Sequence, residues 1–254
     1  PYTTCGRCPA CRSGRHNACQ YNETMGNQRD GAGMERIALP PDKLYALPGL
    51  TVDAAAAIEP LSVGFHAAHR GEVTSDDTVV VLGTGVIGLG AVAGAAARGG
   101  RVIAVDLDGR KLKLAKALGA RVTINGARES VSKRVLELTG GEGASVVIEA
   151  IGLPGTYRQA VDLVCFTGRI VYIGYAKEDV AFTTKLFVAK ELDIRGSRNA
   201  MDEDFRAVIE AIRNDTVPVQ TIITQRYPMG EVDAAFSFWK ERPNDVTKIV
   251  LKVD

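Results

Sequence analysis

Cysteine is scarce over most of this chain, and the sequence also lacks the patterns of secreted and membrane-spanning proteins. Beyond residue 19 the only cysteine is Cys165, which we place at the end of a helix, so a disulfide framework is not expected. The sequence shows neither a signal-peptide pattern nor an unbroken apolar run long enough to span a bilayer. We therefore expect a cytoplasmic protein with reduced thiols and no membrane contact.

An excess of charge of either sign is also lacking. Lys and Arg together number 31 and Asp and Glu 30, which leaves a net charge of +1 with the basic residues scattered. A dedicated nucleic-acid-binding protein would carry a basic stripe, so no nucleic-acid partner is expected. A length of 254 residues with 46% hydrophobic residues predicts one large or two small domains with a sizeable core.

Four of the five cysteines lie within one short segment, with the spacing C-x2-C-x2-C-x7-C at Cys5, Cys8, Cys11 and Cys19. Disulfides between such close neighbours would be strained, and a chain with a large core does not need them. Ferredoxin clusters also begin C-x2-C-x2-C, but their fourth cysteine follows after three residues and precedes proline, whereas here the last gap is seven and Gln20 follows. The pattern favours a closed, tetrahedral four-thiolate zinc site with a structural role.

From about Thr78 the sequence alternates between short apolar runs and helical segments. The apolar runs are "TVVVL", "RVIAVDLD", "RVTIN", "SVVIEAIG", "RIVYIGY" and "LDIRGSRN". Because they are apolar throughout instead of alternating with polar residues, they predict strands buried on both faces. The expected fold is therefore α/β, with a doubly wound parallel sheet covered by helices.

A G-x-G-x-x-G motif follows the first of these strands and opens a helix. The motif is Gly83-Thr84-Gly85-Val86-Ile87-Gly88, with Asp106 at the end of the next strand. In this context the glycines let the backbone approach a pyrophosphate, and Asp106 accepts hydrogen bonds from the adenosine ribose. Because a 2′-phosphate would meet a like charge, NAD is favoured over NADP, although Arg110 and Lys111 weaken that preference. Lys111 is itself a candidate cofactor-binding residue. The alternative is a structural turn that binds no phosphate.

Other cofactor contacts are predicted where strands end at the carboxyl edge of the sheet, since ligands bind there in such folds. These candidates are Ile151, Ile173, Gly174 and Arg198. Arg198 also has a simpler interpretation as a surface side chain.

Several segments together resemble the zinc-dependent medium-chain dehydrogenase/reductase family, in its polyol and sugar-acid branch with sorbitol, threonine and galactonate dehydrogenases. They are "CGRCPACRSGRHNAC", "AAAAIEPLSVGFHAAHR", "VVVLGTGVIGLG", "GSRNAMDEDFRAVIEAI" and "VTKIVLKVD". The resemblance implies a partial GroES-like catalytic domain with the zinc lobe at 1–55. A Rossmann dinucleotide-binding domain would occupy 56–198, and the chain would return to the catalytic domain at 199–254.

The resemblance also assigns roles to single residues. Glu59, in the "EP" pair, matches the glutamate of the family's catalytic zinc site, and Lys248 matches a basic residue that meets the cofactor phosphates. On its own, Glu59 is also compatible with a charge at a helix N-terminus, and Lys248 with an edge-strand lysine. His66 and His69 lack the family's Gly-His-Glu context, so we interpret both as helix residues that bind no metal.

The family's first catalytic-zinc ligands, a cysteine and a histidine, lie upstream of the four-cysteine lobe, whereas this chain begins at Pro1 without methionine. We therefore expect the remainder of a longer polypeptide. In full-length form it would oxidise a secondary alcohol of a polyol or sugar acid with hydride transfer to NAD, as a homodimer or homotetramer, and the 254 residues alone would be inactive. The alternative is a truncated or regulatory relative that binds a dinucleotide without turnover.

Overall fold

A computed structural model describes residues 1–253. Its helices are α1 (Pro9–Arg12), α2 (Val52–Arg70), α3 (Val86–Ala97), α4 (Gly109–Ala117), α5 (Val131–Leu138), α6 (Pro154–Leu163), α7 (Lys185–Ala189), α8 (Asp202–Arg213) and α9 (Val232–Glu241). Its strands are β1 (Thr78–Leu82), β2 (Arg101–Asp106), β3 (Val122–Asn125), β4 (Ala144–Glu149), β5 (Val164–Tyr172), β6 (Asp193–Gly196), β7 (Ile223–Pro228) and β8 (Lys248–Lys252).

Six strands form one sheet in the order β3-β2-β1-β4-β5-β6, and every neighbouring pair is parallel. Alternate residues of β1 enter different cores: Val79 and Val81 pack in one apolar cluster, and Val80 and Leu82 in another. Both faces of the sheet are thus buried, which confirms the predicted doubly wound α/β fold. The strand order reverses between β1 and β4, and such a reversal opens a ligand-binding crevice at the carboxyl ends of the strands.

Helices α2 and α3 pack with their backbones in direct contact, because glycines replace side chains at the crossing. A Cβ added to Gly64 would lie 2.2 Å from the Ala91 nitrogen, and one added to Gly90 would lie 2.6 Å from the Leu61 carbonyl oxygen. Real Cβ atoms do not approach backbone this closely, so a larger residue at either position would push the helices apart. The contact fixes α2 on the helix that follows the glycine motif.

The C-terminal part of the chain forms a separate small pair of strands. β7 and β8 run parallel, with α9 and a short 3₁₀ turn (Pro243–Asp245) between them. Arg226 of β7 donates to Asp53 Oδ2 from both Nε (2.9 Å) and Nη2 (2.6 Å), which ties this pair to the start of α2.

Three details of the fold bear on the sequence interpretation. α2 begins at Val52, so one helix crosses the predicted boundary between residues 55 and 56. Cys165 lies in β5 instead of at a helix end, because α6 stops at Leu163 and Val164 already has extended backbone angles. Within residues 1–253, no helix combines the length and the apolar character needed to cross a membrane.

Candidate functional site

The four clustered cysteines bring their sulfur atoms together in the lobe around α1. Cys5 Sγ lies 4.0 Å from Cys11 Sγ, and Cys8 Sγ lies 3.9 Å from Cys19 Sγ. All four sulfurs are within 4.8 Å of one another, and all four thiols are free. A tetrahedral zinc with Zn–S bonds of about 2.3 Å places its sulfurs about 3.8 Å apart. The thiols therefore fit a four-thiolate zinc site.

The surrounding backbone supports negative charge on these sulfurs. The Cys8 N–H donates to Cys5 Sγ (3.3 Å), and the Cys5 N–H donates to Cys19 Sγ (3.4 Å). Hydrogen bonds to the backbone of Gln20 and Cys11 lower the pKa of the Cys8 thiol to about 6, whereas burial raises the pKa of Cys11 to about 11. Four thiolates in so small a volume repel one another, so a bound cation is what would let all four ionise together.

A buried polar network joins the lobe to α2 and α8. Asn17 Nδ2 donates to His66 Nε2 (2.9 Å) and to the Arg198 carbonyl (2.7 Å), and the Asn17 carbonyl accepts from Asn199 Nδ2 (3.0 Å). His66 Nδ1 lies 2.7 Å from Asp204 Oδ2. The network links segments far apart in sequence, and neither Asn17 nor Asp204 was identified from the sequence.

His66, His69 and Asp204 also bring possible metal-ligand atoms within 4.8 Å of one another. However, His66 Nε2 accepts a hydrogen bond from Asn17, so in the neutral ring Nδ1 carries the proton and donates it to Asp204. Nδ1 then has no lone pair for a metal. This geometry favours the interpretation of His66 as a packed helix residue.

The glycine motif forms a tight turn between β1 and α3. Gly83 has a φ of +89°, and a Cβ there would lie 2.5 Å from Ile151 Cγ1. A Cβ on Gly88 would lie 1.9 Å from the Gly83 carbonyl oxygen, so Gly88 lets the helix approach the turn. Gly85 precedes α3, and a Cβ there would meet no described atom within 4 Å. The helix N-terminus therefore has open space in front of it where a pyrophosphate could bind.

Asp106 is oriented by its own neighbours. Its Oδ2 accepts from the Thr84 N–H (2.7 Å) and from Thr84 Oγ1 (2.8 Å), and its Oδ1 accepts from the Asp108 N–H (3.0 Å). Thr84 is the second residue of the glycine motif, so the turn and the acidic residue form one unit. Sequence reasoning selected Asp106 but missed Thr84, although it lies inside the motif.

A cleft of about 910 Å³ opens at the switch between β1 and β4. Five predicted cofactor residues line it, namely Gly83, Gly85, Asp106, Lys111 and Ile151. The other predicted cofactor residues are not among its lining residues: Val86, Ile87 and Gly88 are in the first turn of α3, Ile173 and Gly174 directly follow β5, Arg198 follows β6, and Lys248 begins β8.

Glu149, at the end of β4, connects two of these loops. This fully buried residue accepts at Oε1 from the Ile151 N–H (2.9 Å), the Gly152 N–H (2.8 Å) and Thr156 Oγ1 (2.8 Å). Its carbonyl accepts from the Gly174 N–H (3.2 Å). One side chain and its backbone thus hold together the loops after β4 and β5, a role that the apolar pattern of the strand did not indicate.

Glu59 lies more than one turn inside α2, since the helix begins at Val52. A charge there is too far from the helix N-terminus to stabilise its dipole, which disfavours the simpler interpretation of this residue. Tyr2 donates its hydroxyl to Glu59 Oε1 (2.5 Å), and burial followed by the charge of Glu59 raises the pKa of Tyr2. Both side chains line a cavity of about 260 Å³. Within residues 1–253, Glu59 belongs to no group of three side chains that could hold a metal.

Comparison with known proteins places these features in a family. The family described as zinc-binding dehydrogenase matches residues 86–214. Sorbitol dehydrogenase of Halalkalibacterium halodurans is 33% identical, over 92% of this chain and 70% of that protein. L-galactonate-5-dehydrogenase of Escherichia coli is also 33% identical, over 91% and 68%.

Solved structures agree with the fold and include both nicotinamide dinucleotides. A protein of Escherichia coli CFT073 described as a short chain alcohol dehydrogenase, complexed with NADH, superposes with a TM-score of 0.91 at 27% identity, covering 99% of this chain and 75% of that one. A zinc-binding dehydrogenase-type protein of Sinorhizobium meliloti 1021 bound to NADP gives a TM-score of 0.86 at 28% identity, covering 93% and 71%.

Proposed function

This chain belongs to the zinc-binding dehydrogenase family, and on that premise we propose that it oxidises a secondary alcohol of a polyol or sugar acid with NAD as hydride acceptor. The observation that carries the proposal is the cleft at the strand switch, in which the open glycine turn and the oriented Asp106 carboxylate face one space. The sorbitol and L-galactonate relatives support the substrate class.

Each part of the chain has a separate task in this proposal. The turn at Gly83–Gly88 would bind the pyrophosphate, Asp106 the adenosine ribose, and the loops held by Glu149 would border the nicotinamide end. Glu59 would contribute to a catalytic metal site at the smaller cavity that it lines. A zinc there would polarise the substrate hydroxyl as a Lewis acid while the nicotinamide accepts hydride. The four-thiolate lobe has no open position and would serve structure alone.

One observation favours a second candidate, a dinucleotide-binding relative without turnover. A catalytic zinc needs about three protein ligands and one open position, and within residues 1–253 Glu59 has no two further His, Cys, Asp or Glu side chains close enough to complete such a set. We therefore expect no alcohol-dependent NAD reduction from the 254 residues alone. Dehydrogenase assays with sugar alcohols and aldonates, on this chain and on a polypeptide extended upstream, distinguish the two functions. Turnover in the longer form alone would support the dehydrogenase, and turnover in neither form would support the second candidate.

Glu59→Ala in the extended polypeptide tests the metal role. We expect loss of one zinc per chain and of turnover, with the four-thiolate zinc and NAD affinity retained, because the glycine turn and Asp106 are untouched. Glu178→Ala, at an exposed position, serves as the control. Full zinc content and unchanged turnover in Glu59→Ala would contradict the assignment.

Asp106→Ser tests the cofactor assignment in the chain itself. The substitution removes a ribose acceptor and a negative charge. Hydrogen bonds to charged groups contribute about 1.5–3 kcal/mol, so NAD affinity should fall by about 10- to 100-fold while NADP affinity rises. Calorimetric titration with both dinucleotides measures this. A wild-type protein that prefers NADP would show that Asp106 does not have the assigned role.

We also propose a cytoplasmic homo-oligomer. Four thiols kept reduced for zinc require a reducing compartment. Strand β6 is an edge of the main sheet, and Phe166 of β5, Val188 of α7 and Ile194 of β6 are exposed apolar side chains in this part of the fold. Edge strands with apolar neighbours favour pairing with a second copy about a two-fold axis. Light scattering coupled to gel filtration should give a dimer or tetramer mass, and a strictly monomeric protein would contradict this part of the proposal.

A further inference from the structure

Arg110, four residues after Asp106, is the nearest following cation to the acidic residue that would bind the ribose. It lines the cofactor cleft together with Lys111 and Arg128. A 2′-phosphate on the adenosine ribose would approach Asp106, and a guanidinium is well suited to bind it in a bidentate manner. From sequence position alone, Arg110 would therefore favour NADP and oppose the effect of Asp106.

The structure shows that this guanidinium is already engaged by two carboxylates. Arg110 Nη2 donates to Asp108 Oδ2 (2.8 Å), its Nε lies 3.2 Å from both Asp108 oxygens, and its Nη1 donates to Asp245 Oδ1 (2.5 Å). Nη2 also lies 3.4 Å from the Asn244 carbonyl oxygen. These bonds raise the pKa of Arg110 and lower that of Asp108. One positive and two negative side chains leave this group with a net charge of −1.

The two carboxylates differ in how they are held. Asp108 is the N-cap of α4 and accepts from the Arg110 N–H (2.8 Å), so its contact is local. Asp245 is 135 residues away in the 3₁₀ turn before β8, and its ion pair joins this turn to α4 beside the cleft, where Asn244 is a lining residue. Asp245 can therefore be changed without removing a helix cap.

We infer that Asp245, by binding Arg110, is a positioning residue that withholds this guanidinium from a 2′-phosphate and so contributes to the choice of NAD over NADP. The inference rests on the proposed function, because it assumes a dinucleotide in the cleft. Two separate features then exclude the extra phosphate: the charge of Asp106 and the engagement of Arg110. Removing either one alone should leave the other in place.

The test compares dissociation constants for NAD and NADP in the intact protein, beginning from Asp106→Ser. Adding Asp245→Asn should shift the NAD/NADP preference toward NADP by a further factor of about 1.4 to 5, since an exposed ion pair contributes about 0.2–1 kcal/mol. Adding Asp245→Glu, which keeps the carboxylate, should restore the preference of Asp106→Ser alone. Asp233→Asn on α9 removes the same charge from an exposed position and should produce no shift.

Arg110→Ala completes the cycle. In a protein that already carries Asp106→Ser and Arg110→Ala, Asp245→Asn should have no further effect on the NAD/NADP preference. A shift that persists without Arg110 would show a general charge effect and overturn the inference, as would normal NAD binding with an unchanged preference when Asp245→Asn is added to Asp106→Ser. A wild-type protein that binds neither dinucleotide contradicts the proposed function and this inference together.

Discussion

The four-cysteine lobe and the six-stranded sheet are stabilised in different ways. In the lobe, the buried cluster consists of Cys8, Cys11 and Cys19, with Cys5 and Ala10 packed against it. The sheet is enclosed by two large clusters of aliphatic side chains, one on each face. So small a cluster buries too little apolar surface to offset the entropy of ordering its loops. We therefore expect the lobe to depend on a bound metal, and the sheet on its packing.

Removing the metal should give the largest difference in local stability between the lobe and the sheet. Structural zinc sites have apparent binding free energies of about 10–16 kcal/mol, so Cys8→Ser should lose zinc and disorder the lobe. Hydrogen exchange should then rise over residues 1–25 and stay low over 78–196. Elemental analysis should find one zinc per chain in this lobe before the substitution and none after it.

Two results would contradict that difference. Iron with acid-labile sulfide would mean that the lobe holds a cluster, and thiols that carry no metal after gentle purification would mean that it folds without one. Cys165→Ser, outside the lobe, is the matched control and should leave the zinc content unchanged.

A cavity in the sheet should destabilise the sheet and leave the zinc content of the lobe unchanged. Ile170 of β5 is fully buried, and Ile170→Ala should lower the free energy of unfolding by about 2–5 kcal/mol through lost burial and an unfilled cavity. The zinc content should stay at its wild-type value. Denaturant unfolding monitored by circular dichroism gives the first quantity, with Leu136→Ala, at an exposed position, as the control. Loss of zinc in Ile170→Ala would show that the two regions are not independent.

The smallest loss of stability is expected for a substitution at the contact between the four-cysteine lobe and the rest of the fold. Asn17→Ala leaves His66 Nε2 and the Arg198 carbonyl without their donor. An unsatisfied buried polar group costs about 1–3 kcal/mol, so stability should fall by that order with both the zinc and the NAD site retained. Thermal unfolding of Asn17→Ala beside Asn27→Ala, an exposed lobe residue, measures it. Equal stability in the two variants would mean that the network does not couple lobe and sheet.

Sequence reasoning found the structural features whose determining residues are neighbours in the chain. The four-cysteine spacing, the apolar strands and the glycine turn with Asp106 are each local patterns with a known physical reason. Cys165 was placed in the wrong element because helix ends follow from tertiary packing as much as from local sequence. The pattern "DLVCFTG" has no signal that separates the last helical turn from the first strand residue.

Long-range contacts were not accessible to the same reasoning. Asp245 and Arg110 are far apart in the chain, as are Asn17 and His66, and nothing in either short segment specifies its partner. Glu149 was hidden for another reason: it ends an apolar strand, so its burial was foreseeable but its three donors were not. Such pairings follow from the assembled fold, which a single sequence does not display.

The glycine contact between α2 and α3 also determines how Glu59 lies relative to the glycine turn. α2 carries Glu59, and α3 starts at the turn that would bind the pyrophosphate, so the crossing at Gly64 and Gly90 fixes the position of the proposed metal ligand relative to the proposed cofactor site. Each of these two positions has room for a hydrogen atom only, so a methyl group there would force the two helices apart. An alanine at Gly90 would leave every side chain proposed for catalysis intact and still misalign the two sites.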